Sequence, residues 1–271
     1  MQEAYQIIEK SIIKTYRKEI WSKFIKAVKD YKLVEENDKI AVCISGGKDS
    51  SLLAKCLEEL QKHGKIKFEL KYIVMNPGYN EENIKKIKEN LKTLNINAQI
   101  FETPIFEITK TAKMPCYLCA KMRRGYLYSY AQKLGCNKIA LGHHYDDVLA
   151  TILLNIVYAG SYGGMLPKLK SDNFENMELI RPLFYVREDD IKTWAKSNNL
   201  EFIGCACPVT KKNDGKRAQM KNLLNDLKKY NSDAEKSLFA SLKNVNLNMV
   251  LSYTKNEKKH DFLDNYIDNF K

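Results

Sequence analysis

The chain has 271 residues, 44% of them hydrophobic and 29% charged, which is enough apolar material to bury a substantial core and excludes a disordered polypeptide. A formal net charge of +12 sets up a long-range field that attracts polyanions. The start Met1-Gln2-Glu3-Ala4-Tyr5-Gln6 lacks the basic-then-apolar order of a secretory leader, and no apolar run approaches a membrane span, so the expected partner is RNA and the expected location is the cytoplasm.

In chain order, the first pattern is helical. Ile8, Ile12, Tyr16, Ile20, Phe24, Val28 and Tyr31 recur at intervals of three and four residues, giving one long or two consecutive amphipathic helices. Their polar face carries Lys10, Lys14, Arg17, Lys18, Lys23, Lys26 and Lys29, which serves either plain solvation or RNA contact. The apolar run Ile40-Ala41-Val42-Cys43-Ile44 then reads as a strand feeding Ser45-Gly46-Gly47-Lys48-Asp49-Ser50, and Ser51 to Leu57 opens a helix. Strand, glycine loop and helix start converge unpaired backbone N–H groups and a positive helix end on one point, the arrangement that binds phosphate. The spacing excludes a Walker A loop, because no glycine stands at the required upstream position and Asp49 replaces the Ser or Thr that would hold magnesium.

Further strands are expected at 68–75, 97–102, 137–141 and 178–184, alternating with helices at 81–94, 121–134, 147–158 and 188–198. Val148 to Val157 is too short for a membrane span and is interrupted by Thr151 and Asn155, so it reads as a buried helix. This alternation implies an α/β fold with a parallel sheet covered on both faces, and ligands gather at the carboxyl ends of its strands. Beyond Gly204 the composition shifts toward Lys and Asn, with a helix over 216–230 and a polar tail.

The seven cysteines are an odd number, and their spacing speaks for metal or redox chemistry over a disulfide framework. Cys43, Cys56 and Cys136 lie in apolar surroundings and are expected to be small buried hydrophobes. Cys116-Tyr117-Leu118-Cys119 can bring two thiolates to one metal, and Cys205-Ala206-Cys207-Pro208 supplies one or two more. Three ligands on a four-iron cluster would leave the last iron open, whereas all four cysteines together would suit a structural zinc.

These motifs together carry a resemblance. Ser45 to Ser50, Asn76-Pro77-Gly78-Tyr79, the run Cys116 to Gly125, Leu141-Gly142-His143-His144-Tyr145-Asp146-Asp147, and Ile180-Arg181-Pro182-Leu183 followed by Arg187-Glu188 resemble the tRNA 2-thiocytidine synthetase family of the PP-loop ATP pyrophosphatase superfamily, in order from about Ile12 to about Leu227. Periodicity and composition place helical appendages around a PP-loop domain, with divisions at 1–35, 36–204 and 205–271. The resemblance implies an ATP-dependent tRNA sulfurtransferase that acts on an anticodon-loop cytidine and carries a [4Fe-4S] cluster on Cys116, Cys119 and either Cys205 or Cys207. Sulfide or a cysteine desulfurase would supply the sulfur, and there is room for a homodimer. The departure is Cys205-Ala206-Cys207, where the best-known members have Cys-x-x-Cys.

On this reading Ser45, Gly46, Gly47 and Ser50 grip the phosphates, Lys48 offsets charge at the α-phosphate, and Asp49 with Asp147 holds magnesium. Asp146 either joins them or caps the following helix. Gly142 belongs to the same nucleotide site, Met75 and Asn76 line the adenine pocket, and His143 and His144 orient the acidic loop, touch substrate or are structural. Arg123 and Arg124 bind substrate phosphates or stabilise the adenylated base. The competing readings are a cluster-free PP-loop enzyme that transfers an amine, and a zinc-containing tRNA-binding module.

Overall fold

The computed structural model describes residues 3–204 and 215–266. A six-stranded sheet forms its centre: β1 (Lys39–Ile44), β2 (Glu69–Asn76), β3 (Ala98–Glu102), β4 (Lys138–Ala140), β5 (Lys168–Lys170) and β6 (Glu178–Ile180), in the spatial order β3-β2-β1-β4-β6-β5. Every pairing is parallel except the edge pair β5–β6. The strand order reverses about β1, between β2 and β4, so the loops after β1 and β4 open a crevice at the carboxyl ends.

Both faces are covered, and β1 shows how. Ile40, Val42 and Ile44 enter one apolar cluster, while Ala41 and Cys43 enter another on the opposite face. The larger cluster joins the N-terminal helices α1 (Ala4–Ile13) and α2 (Ser22–Asp30) to α3 (Lys48–His63), α4 (Glu81–Thr93), α7 (Tyr145–Ala159), α8 (Glu188–Ser197) and α9 (Lys216–Tyr230). Between α1 and α2 the chain passes through a π-helical turn, Arg17–Trp21, that keeps Ile20 buried with Ile12 and Phe24. The smaller cluster seats α6 (Pro115–Lys133) through Tyr128 and Ala131, and short α5 (Ile105–Thr109) packs beside it.

Two expectations are corrected. The strand expected over 178–184 stops at Ile180, because Pro182 has no N–H for a ladder and the Phe184 N–H closes a turn on the Arg181 carbonyl at 3.1 Å. The helix expected from Lys121 begins at Pro115, which occupies the first turn, where a missing N–H costs nothing. The Cys-x-x-Cys pair therefore lies in a helix. The tail adds α10 (Ala234–Ser241), a hairpin of β7 (Ser252–Lys255) and β8 (Lys258–Asp261), and α11 (Phe262–Tyr266). No helix among the described residues is long and apolar enough to cross a membrane.

Candidate active site

The phosphate loop is shaped by its backbone. Gly46 has φ +83°, and a Cβ there would lie 2.6 Å from Ile87 and 2.8 Å from Ile203, so conformation and crowding both require glycine. Ser50 braces the loop from within: its hydroxyl donates to the Gly47 carbonyl at 3.0 Å and accepts the Ser45 N–H at 3.1 Å. Gly47 precedes α3, which has no side-chain cap, leaving its first N–H groups directed at the loop mouth.

The loop after β4 meets this one backbone to backbone. A Cβ on Gly142 would approach the carbonyl carbon of Asp49 and the nitrogen of Ser50 to 2.9 Å each. That contact sets Asp49 and Asp147 on one cleft of 580 Å³, together with Ser45, Ser50, Met75, Gly142 and His143. Asp49 Oδ1 is buried without a hydrogen bond from the described residues, although the Lys48 ammonium lies 3.1 Å away. Asp147 accepts the His144 N–H at 3.2 Å and pairs with Arg217 at 3.0 Å.

Several residues go elsewhere. Lys48 does not line the cleft; its Nζ stands 3.2 Å from Glu188 and lines a neighbouring pocket with Gly47. Burial alone would raise the Glu188 carboxyl, but Lys221, Lys48 and Lys192 hold it at about 2. Asp146 is a cap, though of a different helix from the one that follows it: Oδ2 accepts the Glu188 N–H, the first of α8, at 2.7 Å. Asn76 closes its own turn by accepting the N–H groups of Gly78 at 3.0 Å and Tyr79 at 2.7 Å, and it lies outside the cleft that Met75 lines. His144 is buried among Asp49, Asp146 and Asp147, with ring nitrogens 3.9, 3.7 and 3.5 Å from their carboxylates.

Four arginines converge on the cleft: Arg123 and Arg124 from α6, Arg181 after β6, and Arg217 from α9. Arg123 Nε and Arg181 Nε are buried without hydrogen-bond partners among the described residues. Burial, with Arg124 nearby, lowers the Arg181 guanidinium to about 10, so it stays cationic at neutral pH. Burial and Arg181 push the His143 imidazole down to about 4, so it is neutral there. Sequence alone does not mark Arg181 and Arg217 as site residues. Arg181 stands within Ile180-Arg181-Pro182-Leu183, but nothing local distinguishes Arg217 from the other basic residues of α9.

Cys116 and Cys119 are free, exposed and half-buried respectively, in the first turn of α6. They precede Ala120, Arg123 and Leu127 on the same helix; residues three and four apart share a face, so the thiol-bearing turn continues the stripe that lines the cleft. Cys43, Cys56 and Cys136 are buried, and burial raises all three thiols, Cys43 to about 12, so none is an available thiolate. Two accessible soft donors on one turn fit an iron–sulfur group. Cys205 and Cys207 lie outside the described residues, and no group of three metal-ligating side chains occurs within them. Just before that segment, Ile203 touches Gly46 and Gly204 lines the Lys48 pocket.

The ATP_bind_3 family, a PP-loop domain, matches residues 16–224. A tRNA-cytidine(32) 2-sulfurtransferase from Geotalea uraniireducens is 41% identical over 224 residues, 81% of this chain and 88% of that one. Another, from Geobacter metallireducens, is 39% identical over 236 residues, 86% of this chain and 91% of that one. Among solved structures, the U34-tRNA thiolase NcsA from Methanococcus maripaludis with its [4Fe-4S] cluster shares the fold at a TM-score of 0.65 and 23% identity, covering 82% of this chain and 76% of that one. With its phosphate loop and Gly142 loop in contact and these relatives matched over most of their length, the chain belongs to the PP-loop family and, within it, to the tRNA-cytidine(32) 2-sulfurtransferases.

Proposed function

We propose that this chain adenylates a cytidine of tRNA with ATP and replaces its 2-oxygen by sulfur. The observation that carries the reading is the single cleft shared by Asp49, Asp147 and the arginine stripe of α6, one turn along from Cys116 and Cys119.

The loop N–H groups of Gly46 and Gly47 and the start of α3 hold the phosphates of ATP, and Met75 borders the adenine. Asp49 and Asp147 hold magnesium; a buried carboxylate oxygen without a hydrogen bond at Asp49 suits a hard cation, which would offset phosphate charge when bound. With ATP present, Arg217 moves from Asp147 to a phosphate. The cytidine O2 attacks the α-phosphorus, the bond to the bridging oxygen breaks, and pyrophosphate leaves with the electron pair. Arg123 and Arg124 bind the RNA backbone beside the base, while Arg181 remains cationic within the cleft. His143, neutral at this pH, adds no charge against the cationic adenylated base.

A [4Fe-4S] cluster held by Cys116, Cys119 and one of Cys205 or Cys207 would supply sulfur to carbon 2, from sulfide or from a cysteine desulfurase. AMP then leaves with the former base oxygen. The test is anaerobic incubation with ATP, Mg2+, sulfide and unmodified tRNA, followed by nucleoside mass spectrometry. A 2-thiocytidine matched by equal pyrophosphate supports the reading, and its absence from protein carrying a full iron–sulfur chromophore contradicts it. Single Cys205→Ser and Cys207→Ser variants identify the third ligand, since one alone should bleach.

A further inference from the structure

Two stripes run side by side along α6. Ala120, Arg123 and Leu127, three and four residues apart, line the cleft. Tyr117, Lys121 and Arg124 follow at the same intervals, one residue on and so about 100° further round the helix. Tyr117 is 64% exposed, Lys121 and Arg124 are exposed, and Arg124 also lines the cleft. Four residues beyond Arg124 the second stripe closes against the core at Tyr128, which is buried. Its open part is therefore a strip that starts in solvent and ends at the cleft.

The charge of this region is one-sided. Residues 103–125 carry five cations, Lys110, Lys113, Lys121, Arg123 and Arg124, against one carboxylate, Glu107. None of the five is ion-paired among the described residues, in contrast to Arg217, whose charge Asp147 answers at 3.0 Å. Met114, at the turn that leads into α6, is also 64% exposed. Large apolar side chains left in water among uncompensated cations mark a surface that a polyanion with apolar faces would cover.

Cations alone would hold any nucleic-acid backbone, but an exposed ring adds stacking, which needs a base with a free face. Paired bases in a duplex stack on one another, so unpaired nucleotides supply that face. Tyr117 lies about 10 Å along the helix axis from Arg124, more than the ~3.4 Å rise of one stacked nucleotide, so ring and cleft take different nucleotides of one loop. We propose that Tyr117 stacks on an unpaired nucleotide that neighbours the target cytidine, with Lys113 and Lys121 holding the phosphates of that loop while the target base enters the cleft past Arg124. The strip thereby selects single-stranded loops over paired RNA. This inference rests on the thiolation reading above and deepens it, by assigning the form of RNA that the site accepts.

The test is fluorescence-anisotropy titration of the anaerobically purified full chain with a labelled RNA hairpin, whose unpaired loop holds the target cytidine, and with a fully paired duplex of the same stem. Tyr117→Ala should weaken hairpin binding about tenfold and leave duplex binding unchanged, while Tyr117→Phe, which keeps the ring, should bind within about twofold of the wild type. Tyr230→Ala, which removes a ring 90% exposed at the end of α9, should change neither. Lys113→Gln/Lys121→Gln should flatten the slope of log affinity against log salt concentration by about 1.4, at about 0.7 per single-strand phosphate, whereas Tyr117→Ala should leave that slope as it is. Unchanged hairpin affinity in Tyr117→Ala overturns the inference, as does an equal loss for hairpin and duplex. A Tyr117→Ala chain that keeps hairpin affinity but changes oligomeric state also overturns it, reassigning the strip to a second copy of the chain. A salt slope that the lysine pair leaves unchanged overturns it independently of any effect of Tyr117→Ala on the neighbouring cysteines. Ring-dependent hairpin binding in a protein that forms no 2-thiocytidine would support the strip while the thiolation reading falls.

Discussion

The two ends of the central sheet treat buried charge in opposite ways. At the amino-terminal end Lys138, its side chain 3% exposed, stands 2.7 Å from Asp38, 3.1 Å from Glu35 and 3.6 Å from Glu178, and donates to the Leu33 carbonyl. At the carboxyl-terminal end, Asp49 Oδ1, Arg123 Nε, His143 Nδ1 and Arg181 Nε all line the cleft and have no hydrogen-bond partner among the described residues. A fold normally satisfies the polar groups it buries, so the first cluster is complete in itself and belongs to stability, whereas the second is shaped to be completed by something that binds.

The sharpest way to break that contrast is to remove one charge from each end. Asp49→Ala should cut tRNA-dependent pyrophosphate release by about a thousandfold and leave the unfolding midpoint in place, as expected if its carboxylate holds magnesium against the phosphates. Lys138→Ala should do the reverse: it strands the buried Asp38 carboxylate and should cost about 3 kcal/mol of stability, read by denaturant unfolding, while turnover per folded molecule stays within about twofold. Equal effects of both variants on stability and turnover would erase the distinction.

Gly142→Ala tests the joint between the two loops. Its Cβ would press on the Asp49 backbone at 2.9 Å, so the loops must part, and KM for ATP should rise about tenfold with a smaller loss of kcat. The smallest effect concerns His143. Its folded-state pKa is about 4 against an ordinary value near 6.5, so the unfolded chain takes up a proton first as pH falls. Stability attributable to this group is therefore intact above about pH 6.5 and is lost as pH drops toward 4; His143→Asn should lessen that loss by about 1 kcal/mol at pH 5, measured by unfolding at about pH 7 and about pH 5.

Much of this was legible in the residues because it depends on local chemistry. The glycine loop, its strand and its helix are contiguous in sequence, so Gly46, Gly47 and Asp49 could be placed from spacing alone, and the period of the apolar residues gave four of the helices after α3 to within a few residues except at α6. Pro115 reads equally as a loop constraint and as a helix start, so spacing alone sets the cysteine pair ahead of a helix that in fact contains it. Lys48 illustrates the other limit: the motif supplies a cation at the loop, but Glu188, distant in sequence, turns it into the neighbouring pocket. Asp146 similarly answers to α8 across the fold. The edge strand Lys168–Lys170 is short, polar and paired only with β6, and offers no periodic signal.

The account's central claim is that activation of the base and delivery of sulfur use separate residues around one cleft. It is tested most directly by Cys116→Ser, assayed anaerobically for pyrophosphate and thiolated nucleoside in the same reaction. The account predicts that tRNA-dependent pyrophosphate release persists within about threefold of the wild type while 2-thiocytidine and the iron–sulfur chromophore disappear. Thiocytidine formed at the normal rate, or pyrophosphate release lost together with it, would contradict the claim.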